Sequence, residues 1–419
     1  MEFKYPTDDV INLLQEKGYI RGPFGSALKR ADMIESGIPV YEQSNVIYNN
    51  RTFRYFISDE KAKKLKRFFV EENDLLISCS GTVGKVSIVN KDDEKGIISQ
   101  ALLTLRPDLE KILPKYLLYV LSSYYGYQSL TSISTGSVQV NLAPRKIVEK
   151  IQIPLPSIEK QRKIADILSA LDDKIELNNQ MNQTLEDMAT TLFKEWFENF
   201  NFLNAEGKAY KDNGGEFKSS ELGEIPIDWE VKCLKDISSK IGDGLHGTPK
   251  YTENGEYFFI NGNNLVNGIL EFNSKTKRAN LEEYEKYKKE LNLNTIFLSI
   301  NGTLGNIAFY NNEKVFLSKS VCYINPLEDY YKVFILCLFK SNYFKQYLFN
   351  YANGTTIKNL SLKAIRKLTF SIDKDICIKF SNIIKPIFEQ IQQNQQQNQT
   401  LKKQRDTLLP KLMSGEIRV

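Results

Sequence analysis

At 419 residues the chain is two to three times the usual span of roughly 100–200 residues per domain, so it holds at least two hydrophobic cores and a single small module is excluded. Hydrophobic residues make up 42%, aromatic residues 11% and charged residues 26%, with 22 Tyr and 24 Phe, a composition that excludes disorder. Lys+Arg 56 against Asp+Glu 51 leaves a net charge of +5, compatible with an anionic partner but far from a histone-like balance.

In chain order, Gly37–Val46, Leu75–Ser78, Lys85–Asn90 and Ile97–Arg106 are short β-favouring runs separated by turns, and a helix over Pro114–Tyr125 follows them. Between the first two runs, Arg51, Phe53, Arg54 and Tyr55 precede Lys61, Lys63, Lys64, Lys66 and Arg67. Mixed basic and aromatic stretches suit phosphate contacts and side chains that reach base edges; a solvated helix face accounts for Lys61–Arg67 equally well. Gly136-Ser137-Val138-Gln139 could bring backbone close to DNA, and Asn141 reads as the cap of the next helix. A helical seam runs from Ile164 to Trp196, roughly 48 Å at about 1.5 Å per residue. Asn199–Leu222, with Gly207, Gly214 and Gly215, breaks the pattern and reads as a linker.

The second half repeats the first. Lys275, Lys277 and Arg278 form its basic cluster, which phosphate contact and a solvated face again explain equally well, whereas Lys286, Lys288 and Lys289 alternate with Glu283, Glu285 and Glu290 as a solvated helix face does. A helix over Leu327–Phe349 precedes Gly354-Thr355-Thr356-Ile357, and Asn359 stands where Asn141 does. The spacing is constant enough to align: Gly37–Asn45 matches Gly255–Asn263, Ser80-Gly81-Thr82-Val83-Gly84 matches Asn301-Gly302-Thr303-Leu304-Gly305, and Gly136-Ser137 matches Gly354-Thr355. Each unit reads as a mixed α+β domain.

Each unit ends in a helix with a coiled-coil seam. Ile164, Leu168, Leu171, Ile175, Asn178, Asn182, Leu185, Ala189, Leu192 and Trp196 are spaced 4-3-4-3, and Phe380, Ile384, Ile387, Ile391, Asn394, Asn398, Leu401, Arg405, Leu408 and Leu412 repeat that spacing. A buried amide costs stability unless it meets another amide, so two asparagines at matching places fix register and partner. Antiparallel pairing, Asn178 facing Asn398 and Asn182 facing Asn394, keeps the globular units from crowding. Pro386 predicts a kink or restart, with Phe380–Lys385 as a separate helical piece. The Gln392–Gln399 tract lies within the helical phase and reads as a solvated face.

Catalytic patterns are missing. His246 is the lone histidine, and Cys79, Cys233, Cys322, Cys337 and Cys377 are too scattered for a metal knuckle, so reduced buried thiols are expected. Gly81-Thr82-Val83-Gly84-Lys85 lacks the first glycine of a phosphate loop and has Val86 in place of its Ser/Thr, which leaves a tight turn. Gly22-Pro23-Phe24-Gly25-Ser26 lacks the strand and spacing of a cofactor loop. The acidic or amide residue, two prolines and aromatic of an amino-methyltransferase do not occur. The longest apolar run, Val333–Phe339, is far below the about eighteen residues a membrane span needs, and Met1–Val10 has no secretory core, so a cytoplasmic protein is expected.

With both halves of the repeat, Ile151-Gln152-Ile153-Pro154-Leu155-Pro156, the entry Glu221-Leu222-Gly223-Glu224-Ile225-Pro226 with Trp229, and the ending Leu408–Ile417, nearly the whole chain resembles the specificity subunits of type I restriction-modification systems. The resemblance implies an α+β protein with two target-recognition domains, each reading half of a split asymmetric site in double-stranded DNA, separated by a long antiparallel two-helix coiled coil. It implies a non-catalytic chain without cofactor, docked to two methyltransferase subunits and, where the system cleaves, to a restriction subunit; S-adenosylmethionine, ATP and Mg belong to those partners. The domains expected are 1–156, a spacer helix at 157–200, a linker at 201–220, a second domain at 221–374, and a second helix and tail at 375–419. Candidate DNA contacts are Arg51, Arg54, Lys61, Lys64, Lys66, Arg67, Lys85, Gln139, Lys250, Lys275, Lys277, Arg278, Lys319 and Lys358; the pairing seam is Leu168, Leu171, Ile175, Asn178, Asn182, Leu185, Ile384, Ile387, Ile391, Asn394, Asn398 and Leu401. The second copy departs in reading Leu368-Thr369-Phe370-Ser371-Ile372 for the Ile-Pro-Leu-Pro element, and in placing Arg405 where the first has Ala189. A coiled-coil scaffold that never touches DNA and a stand-alone DNA-modifying enzyme are the rival readings.

Overall fold

Leu75-Leu76-Ile77 and Leu102-Leu103-Thr104-Leu105 lack the polar alternation of a half-exposed strand, so both of their faces must be covered. In the computed structural model, which describes residues 2–133, 140–354 and 358–419, they are the inner strands of an antiparallel four-stranded sheet. Its order is Leu14–Arg21, Leu102–Pro107, Leu75–Ser78, Val86–Ile88. A three-stranded sheet, Phe56–Ile57, Ile38–Tyr41, Ile97–Ile98, adds one parallel pairing, Val40 with Ile97. The second half repeats both orders: Ser238–Asp243, Val321–Pro326, Ile296–Ser299, Ile307–Phe309, and then Arg278–Ala279, Tyr257–Ile260, Val315–Leu317. Its parallel pairing, Phe258 with Val315, is in the same place.

The chain divides into two compact units, one of residues 1–177 and 397–419 and one of residues 178–396. Each therefore combines a mixed α/β domain with parts of both long helices, Ile158–Phe193 and Lys374–Ser414. In the first unit Ile164 and Leu168 share a core with Leu409, Leu412 and Met413. In the second, Ala189, Phe193 and Trp196 share one with Phe380, Ile384, Phe388 and Ile391. Trp196 and Phe380 rings lie 5.8 Å apart, and Asn182 meets Asn394, so the helices run antiparallel within that unit.

Strand pairing delivers the chain to each helix. Thr7–Asp9 pairs with Gln152–Pro154 ahead of the first. Glu230–Cys233 pairs with Thr369–Ile372 ahead of the second, so the divergent Leu368–Ile372 segment takes the same place, and the Asp373 carboxylate accepts from the Ile376 amide at 2.9 Å to cap the helix.

Several expectations change. The run 37–46 is a strand only to Tyr41; Gln43–Ile47 is helical because buried Asn45 accepts from the Glu42 amide and donates to the Thr52 carbonyl. Asn264, which bonds the Asn261 amide and the Glu271 carbonyl in the same way, is its counterpart rather than exposed Asn263. The run 97–106 divides between the two sheets at Ser99–Ala101. Pro114–Tyr125 and Leu327–Phe349 are each broken, where Ser123 and Ser341 accept from the Gly126 and Phe344 amides and start new helices. Asn141 and Asn359 do not cap: Asn141 lies in the strand Val140–Leu142, and Ser361 caps Leu362–Arg366. Neither break nor restart occurs at Pro386, because it and Asn382, whose carbonyl it leaves without an amide donor, both face solvent. The expected linker is folded: Phe202 stacks on Trp229 at 5.2 Å and on Tyr210 at 4.7 Å, and Phe217–Ser220 pairs with Gly223–Pro226.

Candidate nucleic-acid interface

The exposed cations sit on short helices, at strand ends and in the connecting loops. Arg51 is held inside the fold, its Nη2 donating to the Ile88 carbonyl at 2.9 Å and pairing with Asp93 at 2.7 Å. Arg54 forks onto Glu42 at 2.9 and 3.2 Å with its guanidinium 4.5 Å from the Tyr55 ring, and Lys61 pairs with Asp32 at 2.8 Å. That contact holds the Asp32 carboxyl below its ordinary value. Lys64, Lys66 and Arg67 are exposed and form no ion pair among the described residues. Their free charge fits contact with an anion better than that of Arg51, Arg54 or Lys61.

Lys85 is exposed at the end of the Gly81–Gly84 turn, which joins two strands. Gly84 and Gly305 have φ of +78° and +86°, a conformation that disfavours a side chain. In both copies a serine closes the turn: Ser78 Oγ accepts from the Lys85 amide at 3.0 Å and Ser299 Oγ from the Asn306 amide at 2.8 Å. Gln139, with the Gly136 and Thr355–Ile357 segments, lies outside the described residues.

The second domain gathers its cations on ring faces. The Arg278 guanidinium lies 4.6 Å from the Phe258 ring, which stacks on Phe272 at 4.2 Å, and Lys277 lies 5.8 Å from Tyr251. Lys358 lies 5.7 Å from the exposed Phe349 ring. Lys250, Lys275 and Lys319 are exposed. In the Lys286–Lys289 run two cations pair locally, Lys286 with Glu282 at 2.9 Å and Lys288 with Glu285 at 2.5 Å.

Two arginines were missed. Arg21 closes the first strand of the four-stranded sheet and Arg145 opens the helix Arg145–Val148; with Arg67 they line one cleft of about 420 Å³ beside Tyr19, Phe24 and Leu142. Arg145 bonds Glu149 at 2.6 Å and lies 4.7 Å from the Tyr19 ring, while Arg21 Nη1 is buried without a hydrogen-bond partner. Burial pushes the Tyr19 hydroxyl up to about 12 and the neighbouring Cys79 thiol up to about 11, so neither adds negative charge at neutral pH. Those three arginines are far apart in sequence, and no local pattern announces their meeting.

Along the helices, Leu168, Ile175, Asn178, Asn182, Ile384, Ile391, Asn394 and Asn398 are buried, and Leu171, Leu185, Ile387 and Leu401 half-buried. Asn394 Nδ2 donates to Asn182 Oδ1 at 2.8 Å, and Gln390 Nε2 donates to Asn394 Oδ1 at 2.9 Å. In the first unit Arg405 pairs with Asp172 at 2.7 Å, and the Tyr119 hydroxyl donates to the other oxygen of that carboxylate at 2.7 Å. All five cysteines are free, four of them buried. No helix among the described residues is long and apolar enough to cross a membrane.

These features define a protein of two like modules, each a mixed α/β domain packed on antiparallel long helices. The chain belongs to the family of type I restriction modification DNA specificity domain proteins, whose model matches residues 24–187 and again 226–403. It is 29% identical to the type I restriction enzyme MjaIX specificity subunit of Methanocaldococcus jannaschii over 99% of this chain and 95% of that relative. To the HindI specificity subunit of Haemophilus influenzae it is 25% identical over 90% and 94%. The fold is similar to the crystal structure of a type I restriction-modification S subunit from M. genitalium, with a TM-score of 0.54 at 16% identity, over 98% of this chain and 96% of that one.

Proposed function

We propose that this chain is the DNA sequence-specificity subunit of a type I restriction-modification complex. Each domain reads one half of a bipartite asymmetric site, the helix pair sets the gap between the halves, and the chain docks methyltransferase and, where the system cleaves, restriction subunits. One observation carries the reading: two domains share a strand order while their exposed basic and aromatic side chains differ, as two readers of different half-sites should. Methyl transfer to adenine N6 is assigned to the partners, which bind S-adenosylmethionine, ATP and Mg; this chain binds none of these and supplies the choice of site.

Reconstitution tests this division of labour. The purified methyltransferase subunit is given duplex DNA and labelled S-adenosylmethionine with and without this chain. Sequence-selective labelling should require both proteins. Labelling by this chain alone would make it an enzyme, and labelling indifferent to its presence would favour a scaffold.

A further inference from the structure

The cleft between Arg21, Arg67 and Arg145 is a built feature of the first domain. Its guanidiniums come from three elements: the end of the strand Leu14–Arg21, the short helix Lys66–Phe68, and the start of the helix Arg145–Val148. Of the three, only Arg145 has a carboxylate partner among the described residues, Glu149. Arg21 Nη1 is buried and unbonded, a state that ordinarily costs stability unless an acceptor arrives. A single guanidinium can fork onto guanine O6 and N7 as readily as onto a phosphate, but three guanidiniums in one cleft, lined otherwise by the Tyr19 hydroxyl and the apolar surfaces of Phe24, Phe68, Leu142 and Ala143, supply more positive charge than a neutral base edge calls for. Converging guanidiniums match a tetrahedral oxyanion.

We propose that this cleft seats one backbone phosphate of the duplex read by the first domain, between Arg21, Arg67 and Arg145. The inference rests on the DNA-reading function proposed above. It is specific to this half of the molecule, because the corresponding strand of the second domain ends in Asp243, bonded to His246 at 2.7 Å. The contact anchors the domain and leaves base choice to other side chains.

The assembled complex with its methyltransferase subunits is the material for the test. Binding to the cognate duplex and to a scrambled duplex is measured across a salt series for the wild type, R21Q, R67Q and R21K. The glutamine variants should weaken both duplexes by the same factor, about 3- to 10-fold, and lower the salt slope by about one, whereas R21K retains most of the binding. A scan placing one neutral methylphosphonate linkage at each position should find a phosphate whose neutralisation weakens the wild type several-fold and R67Q by clearly less, since Arg21 and Arg145 still face it there. Arg67 is exposed, so R67Q carries the test even where R21Q does not fold. Unchanged affinity and slope in folded R67Q, a loss that depends on one base pair, or additive effects of R67Q and every neutral linkage overturn the proposal while the DNA-reading function stands. Failure of the wild-type complex to prefer its cognate duplex overturns that function, and this inference with it.

Discussion

Buried charge is where single residues matter most. Asp74 is fully buried, and Arg106 donates to it at 2.8 and 2.9 Å while also reaching Glu71 at 2.6 Å. Burial pushes the Asp74 carboxyl up, and the arginine opposes that push. In Arg106→Ala the opposition is gone, leaving a carboxylate without its countercharge, at a cost of about 3 kcal/mol at neutral pH. The sign with pH follows: the variant's folded carboxyl lies further above its unfolded value of about 4, so the charge-dependent part of the deficit is absent below that value, grows as pH rises toward the folded one and then levels off. Urea melts at pH 7.5 and pH 4.5 check this, and a deficit equal at both would contradict it. Arg51 is a similar case read differently from sequence, where it looked like a DNA contact. Its partners Asp93 and Ile88 lie about forty residues onward, beyond any local pattern.

At the scale of elements, the helix segments of the two units solve the same packing problem with different chemistry. Arg405 with Asp172 in the first unit corresponds, by the repeat, to Ala189 with Phe388 in the second, both of them buried. A charge pair stands where a small residue and a ring stand in the other copy. Arg405→Ala should therefore destabilise by about 1–2 kcal/mol, and a double-mutant cycle with Asp172→Ala should return a coupling of about that size. Additive losses would mean that the pair contributes nothing of its own. The seam was legible because its 4-3 spacing recurs with matched asparagines. Asp172 lies one position off that seam and Tyr119 in a distant helix, so the network around Arg405 was not. Element boundaries were lost for local reasons as well: Ser123 and Ser341 interrupt runs whose apolar periodicity continues through them, and Pro386 faces solvent, where its missing hydrogen bond is cheap.

For the whole molecule, duplication is the property that sequence showed best, because strand order survives where side chains diverge. The candidate interface was the least legible part, since the cleft of Arg21, Arg67 and Arg145, proposed above to hold a phosphate, exists only once the strand, the short helix and the later helix are folded together. The central claim is that two domains on one chain read two different half-sites. It is tested most directly by a long-read methylome of the source cell with and without this gene. The account predicts the loss of one adenine motif made of two unlike half-sites with a fixed gap between them. Retention of every gapped motif, or loss of a continuous or palindromic one, would contradict it.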